Sequence, residues 1–154
     1  MDVSCSVPDL TPGAVVEMLA GLPQPGDYRV HVKPLRYRDR PHLAAWTDFQ
    51  DRSITLQLPE PFLPFGEIVP YGAKRRTSAK GTRPRFIWLT EGITFRTPEE
   101  VLRFSFLHEW MHWWLKEVRG TASAAETTCD RYALWNFRRA VVTEDDARAS
   151  LRRR

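Results

Sequence analysis

His108, Glu109 and His112 stand within "RFSFLHEWMHWWLKE", Arg103 to Glu117, which holds two of the chain's four histidines. On a helix, residues four apart share a face one turn apart. Both imidazoles can then reach one Zn²⁺ at about 2.0–2.1 Å. Glu109 is one residue on, so it leans toward the water side of such a metal rather than becoming an in-line ligand. There it can take a proton from metal-activated water and pass it to a leaving amine. The competing reading is a core helix that carries two histidines incidentally. Trp110, Met111, Trp113 and Trp114 pack on either reading. Burying His108, Glu109 and His112 together is costly unless each is satisfied, and a metal with its water would satisfy all three.

A catalytic zinc takes three protein ligands and keeps one open position. His31 and His42 lie far upstream, and His31 reads as a strand residue. "AAETTCDRYALW" follows instead, with Glu126 and Asp130 four apart on one helix face. Glu126 is the expected third ligand. Asp130 is expected to accept a hydrogen bond from the non-metal nitrogen of a ligand histidine, which fixes its tautomer. Cys129 is the competing soft ligand. On the opposing reading, Glu126 and Asp130 are ordinary solvated residues.

The elements that must position these groups are legible in outline. "TPEEVLRFSFLHEWMHWWLKEVRG" reads as a helix, with Thr97 as cap, Pro98 in the first turn and Glu99 and Glu100 at the positive end of the dipole. Glu100 lies three after Thr97, as in a capping box. Lys116 and Arg119 suit its end, and Gly120 its stop. A second helix is expected in "SAAETTCDRYALWNFRRAVV". Upstream, "DLTPGAVVEMLAGLP" reads as a short helix capped by Thr11 and stopped at Gly21. "YRVHVKPLRY" is β-like from Tyr28 to Val32. "HLAAWTDF" and "SITLQLP" flank "QDR" as a hairpin, and "RFIWLT" is a strand. Leu58 to Arg85 reads as a long basic connection. Residues 143–154 read as a polar, basic, weakly helical tail. The expected class is α+β: one domain over 1–154, with a short mixed or antiparallel sheet and two site-bearing helices.

At 154 residues, 42% apolar and 27% charged, the chain can bury a core of its own. No apolar run approaches a membrane span, and "MDVSCSVPDLTPG" carries no basic apolar leader. A cytoplasmic setting is expected, with Cys5 and Cys129 as reduced thiols. The net charge of +4 is unevenly placed: Lys74, Arg75, Arg76, Lys80 and Arg83 lie close together. Such a cluster suits an acidic or nucleic-acid partner, or solubility alone. There is no P-loop or dinucleotide fingerprint.

"RFSFLHEWMHWW" resembles the R-F-T/S-x-x-H-E-x-x-H stretch of ImmA/IrrE-type metallopeptidases, and "ETTCDRYA" is similar to their E-x-x-A-D-x-[FY]-A helix. The resemblance covers Arg103 to Ala133. It implies a minimal zincin-like, gluzincin domain in which His108, His112 and Glu126 hold zinc, Glu109 is the general base and Asp130 orients a histidine. Met111 departs from the small residue usual before the second motif histidine. Cys129 replaces a favoured alanine, and the basic loop is not part of the pattern. SprT-like proteases look similar over the first helix but use a third histidine downstream, and none follows His112.

The resulting expectation is a zinc metallopeptidase acting on a specific protein or peptide. The substrate would lie extended on a sheet edge, with Ser53 to Leu58 as that edge. Arg131, Tyr132, Tyr71 and the loop cations are candidates for oxyanion stabilisation. Two other classes remain open: a non-catalytic zinc or nucleic-acid module, and a metal-free interaction protein with a Trp-rich core.

Overall fold

In a computed structural model, residues 1–76, 85–121 and 126–152 of the chain are described. The elements run β1 (Val3–Cys5), α1 (Pro12–Met18), β2 (Arg29–Leu35), β3 (Ala44–Asp48), β4 (Ser53–Pro59), β5 (Phe65–Arg76), β6 (Arg85–Phe95), α2 (Pro98–Trp113), α3 (Glu126–Asn136) and α4 (Glu144–Ser150). The class is α+β with a mixed sheet.

Helix α2 begins where its caps dictate. Thr97 is extended and its hydroxyl accepts from the Glu100 N–H, with Pro98 in the first turn. The Glu100 carboxylate accepts from the Arg96 N–H at 2.7 Å, one residue before the position a capping box uses. After Trp113 the helix widens into one π turn, Trp114–Val118. It closes at Gly120, whose φ of +67° is a conformation few other residues adopt. Val101, Leu102, Phe104, Phe106, Leu107, Trp110 and Met111 are all fully buried or nearly so. A helix apolar all round belongs in a core rather than on a surface, and α2 packs against β3 and β4 on one side and α3 on another.

The sheet order is β1-β2-β4-β3, with β1, β2 and β4 parallel and β3 antiparallel at the edge. Alternation sorts its faces: Val30 pairs with Ile54 and Val32 with Leu56, all without exposure. Between them, His31 pairs with Thr55. Strand β4 is therefore interior. The expectation that Ser53 to Leu58 forms a free edge is overturned: β4 is hydrogen-bonded on both sides, and β3 carries the edge.

The expected long connection from Leu58 to Arg85 is also corrected. Phe65–Arg76 is a strand, and it pairs antiparallel with Arg85–Phe95 as a long two-stranded arm. Prolines and cations hid its alternation, and Pro70 is accommodated at a register shift between Pro70 and Gly72. Its base is tied into the core: Phe65, Phe95, Phe104 and Phe137 form a ring cluster at centroid distances of 5.2–5.7 Å.

Two buried guanidiniums join the helices through carbonyls. Arg103 donates from Nε to Phe137 O at 2.9 Å, from Nη1 to Met18 O and Ala20 O at 2.9 Å each, and from Nη2 to Arg139 O. It thereby fastens α2 to the ends of α1 and α3. Arg131 donates from Nε to Ser150 O at 2.7 Å and from Nη1 to Tyr71 O at 2.9 Å. The residues after Thr143 are better ordered than a polar tail suggests. Thr143 and Asp146 form a reciprocal capping box, Ala147 and Ser150 are fully buried, and Trp114 Nε1 donates to Glu144 at 2.8 Å.

Candidate metal centre

Helix α2 presents His108 and His112 on one face, with their Nε2 atoms 3.2 Å apart. Glu126, the first residue of α3, spans both: its Oε2 lies 3.0 Å from His108 Nε2 and its Oε1 lies 2.9 Å from His112 Nε2. Tetrahedral bonds of about 2.0–2.1 Å imply ligand–ligand edges of about 3.3–3.4 Å. The two imidazole nitrogens stand near that edge, and each faces a different oxygen of the one carboxylate, so the three side chains could surround a metal ion. This donor set, nitrogen with one carboxylate oxygen, suits Zn²⁺. Among the described residues these three are the group of His, Cys, Asp and Glu that could hold a metal.

Asp130, one turn after Glu126, places Oδ1 2.9 Å from His108 Nδ1. That contact favours the tautomer with hydrogen on Nδ1 and turns Nε2 toward Glu126 and His112. Burial works against a charge on His108. The Asp130 and Glu126 carboxylates outweigh it and push the imidazole up to about 10 in the metal-free protein. Glu126 is correspondingly held below the usual carboxylate range, first by its hydrogen bond with His108.

Glu109 is buried, with Oε2 3.8 Å from His108 Nε2. Burial raises its proton affinity, opposed by the two histidines and by a hydrogen bond from Thr47. Thr47 Oγ1 stands 2.9 Å from Glu109 Oε1 and 3.2 Å from the Glu109 carbonyl. A cleft of about 200 Å³ opens beside these groups. Leu43, Ala44 and Ala45 line it from the edge-strand side, Ser105, His108 and Glu109 from α2, and Asp130 from α3.

Other candidates lie elsewhere. His31 Nδ1 is 2.7 Å from Ser4 Oγ, and His42 Nδ1 is 3.3 Å from the Arg40 carbonyl. Cys129 is fully buried, its thiol pushed up chiefly by burial, and is outside the metal-ligand group. Both cysteines are free. Tyr132 is buried against Trp110, and Arg131 donates to the Ser150 and Tyr71 carbonyls. Lys74 and Arg75 are exposed on β5, whereas Lys80 and Arg83 lie outside the described residues. Thr47 was missed: nothing in a single threonine on a hairpin strand points to a glutamate 62 residues on. No helix among the described residues is long and apolar enough to cross a membrane. Compared with protein-family models, curated proteins and solved structures, the chain matches none.

Proposed function

We propose that the protein is a zinc-dependent metallopeptidase of minimal zincin-like design, with His108, His112 and Glu126 as metal ligands and Glu109 as general base. The observation that carries this is the convergence of two imidazole nitrogens 3.2 Å apart with one carboxylate, whose two oxygens lie 3.0 and 2.9 Å from them, beside a buried carboxylate at a cleft. Zinc held by these residues would supply Lewis acidity, polarising a scissile carbonyl and acidifying water.

The chain's own groups supply the rest. Glu109 takes a proton from the attacking water at its carboxylate and returns it to the leaving amine nitrogen. Its burial suits this shuttle, because a carboxylate with raised proton affinity is a better base. Thr47 donates to Glu109 Oε1 and holds the carboxylate in place. Asp130 fixes the His108 ring. Strand β3, at the sheet edge, offers backbone groups to an extended peptide, whose side chains would enter the cleft past Leu43 and Ala45. A purely structural zinc would need no base in such a cleft, which favours catalysis over a non-catalytic module.

The test is metal content by elemental mass spectrometry on protein purified without a metal-affinity tag, followed by mapping of new N-termini in a native lysate. About one zinc per chain is expected, lost in His112→Ala and Glu126→Ala. Cleavages made by the native chain should vanish with Glu109→Gln. A chain that takes up no metal after zinc is supplied would end the proposal.

A further inference from the structure

The distal half of the β5–β6 arm is not part of the metal centre. Phe86 is 69% exposed and Trp88 60%, so neither ring is committed to the core. The register pairs Phe86 with Arg75 and Trp88 with Ala73. Directly opposed residues in an antiparallel pair share a face. Both rings therefore stand on one face, with Arg75 beside them and the small Ala73 leaving Trp88 open. At about 3.3 Å per residue the rings are spaced about 7 Å apart, so each can take a base of its own. Lys74 and Arg85 are exposed on the arm's other face, one residue out of step with the rings.

Charge selects the occupant. Residues 68–90 contain six Lys and Arg and no Asp or Glu, against a net +4 for the whole chain. That stretch carries more than the entire positive excess, and with Glu67 and Glu91 at its base the whole of 65–95 still equals it. A second copy of so cationic a face is repelled. An inserted membrane hairpin would lead with apolar residues, whereas 77–84 reads "TSAKGTRP". Cations interleaved with exposed aromatic rings match a flexible polyanion with planar groups. The stretch also lacks Asn and Gln, so it has neither the carboxamide that pairs an adenine edge nor the carboxylate that accepts from cytosine.

From these placements we infer that the β5–β6 arm binds single-stranded DNA without sequence preference, stacking bases on Phe86 and Trp88 while Arg75, on their face, contacts phosphate and Lys74 and Arg85 add to the attraction from the other face. The activity is separate from the metal centre and needs no metal.

The test is fluorescence anisotropy of a labelled 20-nucleotide oligothymidylate with the full chain in excess chelator, so that failure of the peptidase reading leaves the result intact. Saturable binding is expected, weakening with salt at a log–log slope of about −0.7 per phosphate contacted. Trp88→Ala and Phe86→Ala should each weaken it about tenfold with the far-ultraviolet spectrum unchanged, because each stacked base contributes at that level. Trp88→Phe should recover most of the loss. Equal affinity for duplex DNA of the same length, or Trp88→Ala binding as tightly as the native chain, would overturn stacking. Tighter binding to oligouridylate, to polyglutamate or to phosphatidylserine vesicles would overturn the assignment to DNA.

Discussion

Thr47 on the edge strand and Glu109 on α2 are joined by a hydrogen bond of 2.9 Å, from the threonine hydroxyl to the carboxylate. The strand that would receive a peptide thus also holds the group assigned as base. Thr47→Val keeps the shape and removes the donor. Metal content and fold should persist, while turnover falls about 10- to 100-fold, as expected for a loosened general base. The sign on pH is fixed. Thr47 lowers the Glu109 pKa and burial raises it, so losing Thr47 moves the acid limb of the rate profile to higher pH. An unmoved limb would separate Thr47 from catalysis.

Metal loading should expel a proton. In the metal-free protein His108 is held protonated up to about 10, against an ordinary 6.5. Because the folded value is raised, this charge stabilises the apo protein fully below about pH 6.5, and the contribution fades as pH rises through about 10. A zinc ligand must be neutral. Titration calorimetry at pH 7.5 in two buffers of different ionisation enthalpy should therefore show about one proton released per zinc from His108. Asp130→Asn should weaken zinc binding about 10- to 100-fold.

Arg103 is predicted to matter through carbonyls rather than charge pairing. Its guanidinium serves four of them, from α1, from the turn after it and from the end of α3. Arg103→Met leaves several buried acceptors unpaired, at about 1–3 kcal/mol each. Urea unfolding should show a loss of at least about 3 kcal/mol. Arg103→Lys should recover little, because an ammonium cannot present the planar fork.

Acid should destabilise the helix starts. Glu100 and Asp146 are held below their ordinary values. Burial opposes this, but hydrogen bonds from Arg138 and the Arg96 N–H to Glu100, and from the Thr143 N–H and Arg139 to Asp146, prevail. A depressed folded pKa stabilises above the ordinary carboxylate range and is lost as pH falls through the folded value. Stability measured from pH 6 to pH 2 should fall, and Glu100→Gln should flatten part of that fall.

Local signals were readable where one residue type has one job. Thr97, Pro98 and Gly120 bracket the site helix as expected, and Thr11 accepts from the Ala14 N–H at the first one. The i, i+4 spacings in α2 and α3 identified the residues that converge. What stayed hidden depends on distant partners. β1 is only three residues long and exists through pairing with β2. Which strand forms the edge depends on β4 inserting between β2 and β3. The arm's alternation was broken by Pro70 and masked by charge. Helix α4 buries small residues and is docked by side chains from the π turn after α2 and from α3, so its own composition says little.

The Arg131 clamp has a mechanical corollary. Glu126 is the one donor of the triad not carried by α2, so the triad's alignment is inherited from the pose of α3. That pose is pinned by a guanidinium one position beyond Asp130, bolted to Tyr71 midway along β5 and to Ser150 at the end of α4. Helix α4 supplies none of the three candidate ligands, yet through Arg131 it would act as a set-screw on the proposed metal site. Trimming the chain before Ser150 should let zinc escape faster while α2 and the sheet stay folded.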